Sequence, residues 1–458
     1  MLLALKDKAV LVLGLGATGM SMARFAARYG ARVRVADTRE TPPFAAQLRG
    51  ELPQAELHAG PLREDSFAGI DLVAISPGVA LAEPPVSAAL KAGMRVVGDI
   101  ELFARIRGEF PGAKVVAITG SNGKSTVTEM VGAMCKAAGV RTLVAGNIGL
   151  PVLDAAIDIQ SGRRRRPDIF VLELSSFQLE TTQSLNAEAA AVLNLSEDHL
   201  DRYPSMREYA QAKSRIYLGD GVQVINRDDP LVRDMAIPDR STLTFGFGEP
   251  GAEGEFGLRS VGNDIWLAQG DTALMTARDL RVAGLHNAAN ALAALALCRA
   301  IDLPFPPLLN ALRDFRGLPH RVQKIADVGG VSFYDDSKGT NVGATVAALR
   351  GLQQPVVAIL GGDGKGQDFS PLRQAVSGKV RAIVLIGRDR ESIARAIEGA
   401  GARIERAANM YEAVRRAYAL ARPGDAVLLS PACASFDMFR NYAHRAEVFV
   451  DAVKALGA

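Results

Sequence analysis

Short apolar runs recur along the chain, each closed by glycine, serine or an acidic residue. AVLVLGLG at 9–16, RVRVADT at 32–38, LVAISPG at 72–78, MRVVGD at 94–99, KVVAITG at 114–120 and RTLVAGN at 141–147 come first. IFVLELSS at 169–176, AAAVLNLS at 189–196, VQVINRDD at 222–229, PVVAILGG at 355–362, AIVLIG at 382–387 and AVLLSPA at 426–432 follow. A strand with apolar side chains on both faces has nothing to offer water, so layers must cover it on both sides. That is the situation of parallel strands in α/β units, whereas a sheet with one wet face would show alternation. Helix-length segments such as TGMSMARFAARYGA and LHNAANALAALALCRAI lie between the runs. The pattern predicts an α/β fold on parallel sheets. Residues 244–280 depart from it: turn residues and alternating polarity there predict a small antiparallel β excursion.

At 458 residues the chain exceeds what one hydrophobic core supports. Cuts near 102, before RIRGEFPGAK, and near 317, within DFRGLPHR, fall at Gly- and Pro-containing stretches between α/β blocks. The expected domains are therefore 1–102, 103–317 and 318–458.

Charge narrows the partners. Lys plus Arg number 53 against 50 Asp plus Glu, and a net charge of +3 provides no global field for nucleic acid or an anionic membrane. The run RRRR at 163–166 sits among turn residues and reads as a solvated loop. Cys135, Cys298 and Cys433 are far apart and have no C-x-x-C spacing, which suggests neither a disulfide framework nor a zinc site and fits a reducing cytoplasm. The first residues run straight into a strand pattern, unlike a signal peptide, and no uncharged apolar stretch approaches the roughly 20 residues of a membrane span.

Two glycine loops follow strands. Gly14, Gly16 and Gly19 have G-x-G-x-x-G spacing, with Asp37 ending the next strand. This resembles a dinucleotide fingerprint, yet glycines that let a backbone approach a pyrophosphate serve any diphosphate, a UDP-sugar as well as NAD. No acid or base for hydride transfer stands out before residue 102. Ser76-Pro77-Gly78 closes another strand on the same edge. The second loop, TGSNGKST at 119–126, is shorter than G-x-x-x-x-G-K-S/T. It still opens a helix after a strand, so its backbone N–H groups and Lys124 suit a phosphate, and Ser125 and Thr126 suit Mg²⁺. A magnesium nucleotide needs further hard ligands. Glu173 and His199, each at a strand end, are the candidates.

The motifs TGSNGKST, GNIG at 146–149, ELSSFQLE at 173–180, NLSEDHLDRY, AKSRIY around Lys213, GLHNAANALAA, GLPHR, DDSKGTN, GGDGKG and SPACASFD occur in the order found in the Mur ligases. The chain resembles that family over nearly its whole length. SSFQLE, DDSKGTN and SPACASFD are most similar to its D-glutamate-adding branch, while the loop alone would also admit folylpolyglutamate synthetases.

The resemblance implies a Rossmann-like UDP-binding domain, a central P-loop ATPase domain and a Rossmann-like amino-acid-binding domain. It implies ATP-dependent amide formation between UDP-N-acetylmuramoyl-L-alanine and D-glutamate through an acyl phosphate, in a cytoplasmic enzyme that is expected to be a monomer and inserts in no membrane. Ala17, Thr18, Gly19, Asp37, Thr38, Arg39, Ser76 and Gly78 would hold the uridine diphosphate, and Asn147, Ser175 and Gln178 the muramoyl-alanine part. Gly120, Asn122, Gly123, Lys124, Ser125, Thr126, Asn287, Asn290, Arg321 and Asp336 would bind ATP. Two Mg²⁺ ions are implied, with Ser125, Thr126 and Glu173 at the first and His199 at the second. An ammonium repels a cation, and the resemblance implies that Lys213 is carbamylated, which makes it an anion. Lys338, Thr340, Lys365, Ser435, Phe436 and Tyr442 would receive D-glutamate. Tyr442 stands where the family also has phenylalanine, and Gly339 where it often has alanine. Catalysis would rest on Lys124, Glu173, His199 and Lys213: two anions, a carboxylate and a γ-phosphate, must be brought together, which requires fixed positive charge.

Overall fold

The computed structural model describes residues 5–199, 202–282 and 284–457. Three sheets organise it. The first is wholly parallel, in the spatial order Glu56–Ala59, Arg32–Asp37, Ala9–Leu13, Leu72–Ile75, Val96–Val97. The chain winds outward from Ala9–Leu13 in one direction, then crosses to the other side. That reversal opens a crevice at the carboxyl ends of Ala9–Leu13 and Leu72–Ile75, where Gly14–Gly19 and Ser76–Gly78 begin.

The second sheet has the order Thr272–Thr276, Asp264–Gln269, Glu255–Val261, Thr242–Phe245, Val222–Asn226, Ala189–Val192, Lys114–Thr119, Ile169–Glu173, Thr142–Gly146. Lys114–Thr119 lies between Ile169–Glu173 and Ala189–Val192, pairing Ile118 with Glu173 and Thr119 with Val192. This register delivers the Gly120–Lys124 loop, Glu173 and the segment after Leu193 to one edge. The expected antiparallel hairpins are present from Glu255 to Thr276. They extend the central sheet, because Thr244–Phe245 pairs in parallel with Glu255–Phe256.

The third sheet has the order Gln323–Val328, Val331–Asp335, Ala426–Leu429, Val356–Gly361, Val380–Ile386, Arg403–Arg406. It opens with an antiparallel hairpin turned by Gly329 and Gly330 at φ +57° and +79°, a geometry that favours glycine at both positions.

Packing joins the sheets unequally. Val10, Phe25, Phe103, Leu153 and Phe170 belong to one continuous core that spans the first and second sheets. Full burial of each large apolar side chain stabilises by about 1.5–3 kcal/mol. Helix Ala17–Arg28 adds polar ties to helix Val152–Gln160: Arg24 donates to Asp154 at 3.1 Å and Arg28 to Gln160 at 2.9 Å. The third sheet keeps separate cores on its two faces. Its links to the phosphate loop are the polar ones that frame the cavities described next. Among the described residues no helix is long and apolar enough to cross a membrane.

Candidate active site

The loop after strand Lys114–Thr119 turns through Gly120 at φ +151° and Gly123 at φ +82°, and helix Lys124–Ala137 starts at once. No side chain caps that helix, so its first N–H groups stay available to an anion. Lys124 folds back and donates to the carbonyls of Gly120 (2.7 Å) and Ser121 (2.8 Å). Burial pulls its pKa down, partly opposed by Glu173 and Asp198.

Around this loop lies a cavity of about 850 Å³, lined by residues from the second and third sheets. Glu173 is buried at its strand end; Oε1 accepts from Asn147 Nδ2 at 2.8 Å and Oε2 has no partner. A buried carboxylate oxygen left unpaired is costly, and a hard cation would satisfy it. His199 lines the same cavity with its ring 4.7 Å from that of Phe177, and Asp198 lies beside it, 3.7 Å from Nε2. Lys213, on helix Met206–Ser214, is almost wholly buried, and its Nζ donates to Thr119 Oγ1 (3.2 Å) and Gly120 O (3.0 Å). Burial, then the nearby Lys124 charge, pushes its pKa well below the usual lysine range.

The third sheet contributes more positive charge. Ser125 Oγ accepts from Arg321 Nη2 at 3.4 Å and Lys338 Nζ at 3.2 Å. Burial, reinforced by Arg321, lowers Lys338 to about 8. Burial also lowers Arg321, whose Nε is buried without a partner. Three cationic side chains, Lys124, Arg321 and Lys338, thus line the cavity together with the carboxylates of Glu129, Glu173 and Asp198 and the buried amine of Lys213. Cations gathered around the phosphate loop suit an anionic group there, and the carboxylates beside them suit a metal cation. Thr340 and Tyr442 line the same space, and Lys338 Nζ lies 5.5 Å from the centre of the Tyr442 ring.

A second cavity of about 320 Å³ adjoins the first, sharing Asn122 and Arg321. Asn287 and Asn290, one step apart on helix Leu285–Ala300, face it, and Asn290 Nδ2 donates to Asn287 Oδ1 at 3.1 Å. Thr126, Gly123 and Asp336 also line it. Burial raises Asp336 to about 7, although Ser430 donates to it at 2.6 Å. A flat polar ligand flanked by amides, with its anionic end at the loop, fits this pair of cavities.

Other expected residues stand apart. Ala17, Thr18, Gly19, Asp37, Thr38, Arg39, Ser76 and Gly78 lie at or beside the first sheet's crevice and line neither cavity. Burial alone would raise Asp37, but hydrogen bonds from Arg39 and the Leu15 N–H outweigh it and hold the carboxyl at about 2. Asn147 and Ser175 line the larger cavity, whereas Gln178 does not. Its Oε1 accepts from the N–H of Ser175 in a capping box, and its Nε2 donates to buried Asp99 at 3.0 Å. Lys365, Ser435 and Phe436 also lie outside both cavities, on loops tied by the mutual Asp363–Ala434 backbone bonds of 3.0 and 2.8 Å.

Several lining residues escaped the sequence reading. Asn341 Nδ2 donates to Asn122 Oδ1 and Asp198 Oδ2, each at 3.2 Å. His286 faces the smaller cavity with Nδ1 buried and unpaired; burial lowers it to about 4. His320 Nδ1 sits 2.6 Å from Asp335 Oδ2. Behind the lining, Arg445, fully buried, fixes the Ser337–Lys338 turn by donating to Ser337 Oγ (3.0 Å), Ser337 O (2.7 Å) and Cys433 O (3.1 Å). Among these, a histidine beside an arginine and an aspartate beside a histidine were visible as neighbours in GLPHR and SEDHL, but their partners lie far off in sequence.

Comparison with known proteins agrees with this geometry. Residues 8–98 match the model of the Mur ligase MurD-like N-terminal domain, 118–298 the Mur ligase middle domain and 320–433 the Mur ligase glutamate ligase domain. The chain is 60% identical to the UDP-N-acetylmuramoylalanine--D-glutamate ligase of Nitrosospira multiformis, over 99% of this chain and 97% of that protein. It is 57% identical to the enzyme of the same name from Nitrosomonas europaea, over 98% and 96%. The crystal structure of UDP-N-acetylmuramate-alanine ligase from Thermotoga maritima shares the fold, with a TM-score of 0.59 at 18% identity over 98% and 99% of the two chains. A three-sheet α/β architecture, a phosphate loop facing convergent cations and matches along almost the full length lead to one conclusion: the chain belongs to the Mur ligase family.

Proposed function

We propose that this protein joins D-glutamate to the carboxyl of UDP-N-acetylmuramoyl-L-alanine, with ATP converted to ADP and phosphate through an acyl phosphate, in peptidoglycan precursor synthesis. One observation carries the reading: Lys124 from the phosphate loop and Arg321 and Lys338 from the third sheet converge on one cavity that also holds the unpaired Oε2 of Glu173. Bringing a carboxylate to a γ-phosphate needs fixed positive charge at that point, and removal of one such contact costs about 2.7–4 kcal/mol of barrier in other enzymes.

Within the reaction, the phosphate loop and Lys124 hold the nucleotide phosphates, and Arg321 reaches them from the third sheet. Asn287 and Asn290 orient the base, and Asp336 lies toward the ribose. The loop at 14–19, with Asp37, Thr38, Arg39, Ser76 and Gly78, holds the uridine diphosphate, and Asn147 and Ser175 lead the muramoyl-alanine arm to the cavity. Lys338, Thr340 and Tyr442 face the incoming amino acid, with Lys365, Ser435 and Phe436 joining as the loops adjust.

The residues fit magnesium: Glu173, with its Oε2 buried and unpaired, lines the same cavity as Ser125 and His199, and Thr126 follows on the loop. Bound there, Mg²⁺ supplies charge neutralisation for phosphoryl transfer. Burial favours the neutral amine of Lys213, the form that takes up carbon dioxide as a carbamate, which would make it an anionic ligand for a second ion. The same reading makes the enzyme a cytoplasmic monomer, with units divided near 102 and 317.

The test is a panel of amino acids incubated with the protein, ATP, Mg²⁺ and UDP-N-acetylmuramoyl-L-alanine. Phosphate release is expected with D-glutamate and at least tenfold less with any other member. Release with another amino acid and none with D-glutamate overturns the reading.

A further inference from the structure

We infer that His320, backed by Asp335, takes the proton from the ammonium group of the incoming amino acid, an inference that rests on the ligase reading above. An amine at neutral pH is protonated and has no lone pair with which to attack an acyl phosphate. A proton acceptor has to stand in the cavity where the amine arrives.

His320 is built for that position. It lies just before strand Gln323–Val328 with a left-handed backbone, φ +63°. Its N–H donates to Gln323 Oε1 at 3.2 Å, and its carbonyl accepts from the Lys338 N–H at 3.2 Å. Nδ1 is 2.6 Å from Asp335 Oδ2, and Asp335 is buried at the end of strand Val331–Asp335, its other oxygen accepting from the Ser337 N–H at 2.9 Å. A carboxylate fixed on Nδ1 retains the proton on that nitrogen, leaves Nε2 as the acceptor, and stabilises the imidazolium that forms. The ring lines the large cavity among Lys338, Thr340 and Tyr442, with its centroid 6.1 Å from that of Tyr442.

Of the other bases, Glu129 lies on the phosphate-loop helix Lys124–Ala137, and the rest have partners of their own. Lys338 donates to Ser125 beside Arg321. Glu173 and Asp198 face Lys124 and Lys213 at the phosphate loop. The His199 ring packs on Phe177. The charged and titratable groups around the His320 ring are Asp335 at Nδ1, Tyr442 at its edge, and Lys338 and Arg321 from the adjoining backbone.

The step balances as follows. Nε2 accepts one proton from the ammonium; the freed lone pair forms the C–N bond at the acyl carbon. The bond from that carbon to the phosphate oxygen then breaks, and the departing phosphate carries off the second amine proton. The imidazolium returns its proton to solvent.

Hydroxylamine separates this step from the activation that precedes it, because it is a neutral nucleophile at pH 7 and needs no base. The full-length protein, ATP, Mg²⁺ and UDP-N-acetylmuramoyl-L-alanine are incubated with hydroxylamine or with D-glutamate, and hydroxamate and amide formation are measured. Asparagine tolerates the left-handed backbone at this position, so His320→Asn is the variant of choice. Hydroxamate formation is expected within about twofold of the parent, while kcat with D-glutamate falls about 100-fold at pH 7. That deficit should shrink by about tenfold per pH unit as the free amine becomes abundant. Asp335→Asn, which keeps an acceptor for Ser337, should show the same split at smaller size and carries the test should His320→Asn not fold. A D-glutamate rate within twofold of the parent, a deficit equal at every pH, or a parallel loss of hydroxamate overturns the inference. A parent that forms no hydroxamate overturns the ligase reading itself.

Discussion

Asp336 shows how burial converts a single side chain into a pH-dependent stability term. Its carboxyl is out of water, and although Ser430 and Arg321 favour the charged form, burial dominates and the group titrates near 7 instead of 3.8. Below about pH 4 the carboxyl is protonated in both folded and unfolded chains, and its stabilising contribution is complete. As pH rises toward 7 the unfolded chain gives up the proton and the folded one does not, so that contribution is lost. Asp336→Asn removes the titration. In ligand-free protein, the Tm of the variant minus that of the parent should therefore increase between pH 5 and pH 8, whatever fixed cost the substitution carries. A difference that is flat or declining with pH would show that Asp336 is ionised in the folded state. Asp37, held at about 2 by Arg39 and the Leu15 N–H, is a carboxylate of opposite behaviour: its contribution is present above pH 4 and fades only as pH falls toward 2.

Elements were legible to the extent that burial left a mark on composition. Each apolar run singled out in the sequence holds a strand; those covered on both faces are apolar throughout, whereas Arg32–Asp37 alternates Arg with Val. Glu56–Ala59 (ELHA) and Arg403–Arg406 (RIER) escaped because they are edge strands whose charged residues face water. Gln323–Val328 escaped for the same reason, although the Gly-Gly of its hairpin was in plain view. At the site, Lys124, Glu173 and His199 were recognisable as strand-end and loop residues, and parallel pairing brings strand ends together. Gln178 could not be judged from spacing, since only the fold reveals that a capping box and Asp99 use its amide. The His320–Asp335 pair was equally hidden, being made by a turn and a strand end fifteen positions apart. Single glycines of the loops also differ in a way that spacing conceals: a methyl group at Gly19 would collide with the Gly14 carbonyl oxygen. A methyl group at Gly123, with φ +82°, would lie 2.5 Å from Asn290 Oδ1, whereas one at Gly16 meets nothing within 4 Å. Gly123→Ala should combine a left-handed strain of about 1–2 kcal/mol with displacement of Asn290, and weaken ATP binding more than tenfold by calorimetry. Gly16→Ala should leave Tm within about 2 °C of the parent. Equal ATP affinity in Gly123→Ala and the parent would remove Asn290 and this loop from the nucleotide site.

On the scale of the whole molecule, the contrast between a shared core and a polar seam sets what can move. The first two sheets are joined through Phe25, Phe103 and Phe170, and parting them would expose that apolar surface. The third sheet meets the phosphate loop through Arg321, Lys338 and Asn341, whose bonds can be exchanged for water at little net cost. Substrates of the size proposed have to enter between these units, and the seam is where entry costs least. Helix Val342–Gly351 sets how closely the seam shuts: a methyl group at Gly343 would stand 2.8 Å from Ser196 Oγ and 3.1 Å from Asn122 Nδ2. A branched side chain there should wedge the units apart without touching either core. Gly343→Val is therefore expected to retain the parent's cooperative unfolding, to show a larger radius of gyration by small-angle X-ray scattering in the presence of ATP and Mg²⁺, and to lose at least tenfold in kcat. Because Arg321, Lys338 and His320 all cross the seam from the third sheet, the loss should fall on hydroxamate and amide formation alike, unlike that of His320→Asn. A scattering curve identical to the parent's, with kcat unchanged, would mean that the seam does not govern assembly of the site.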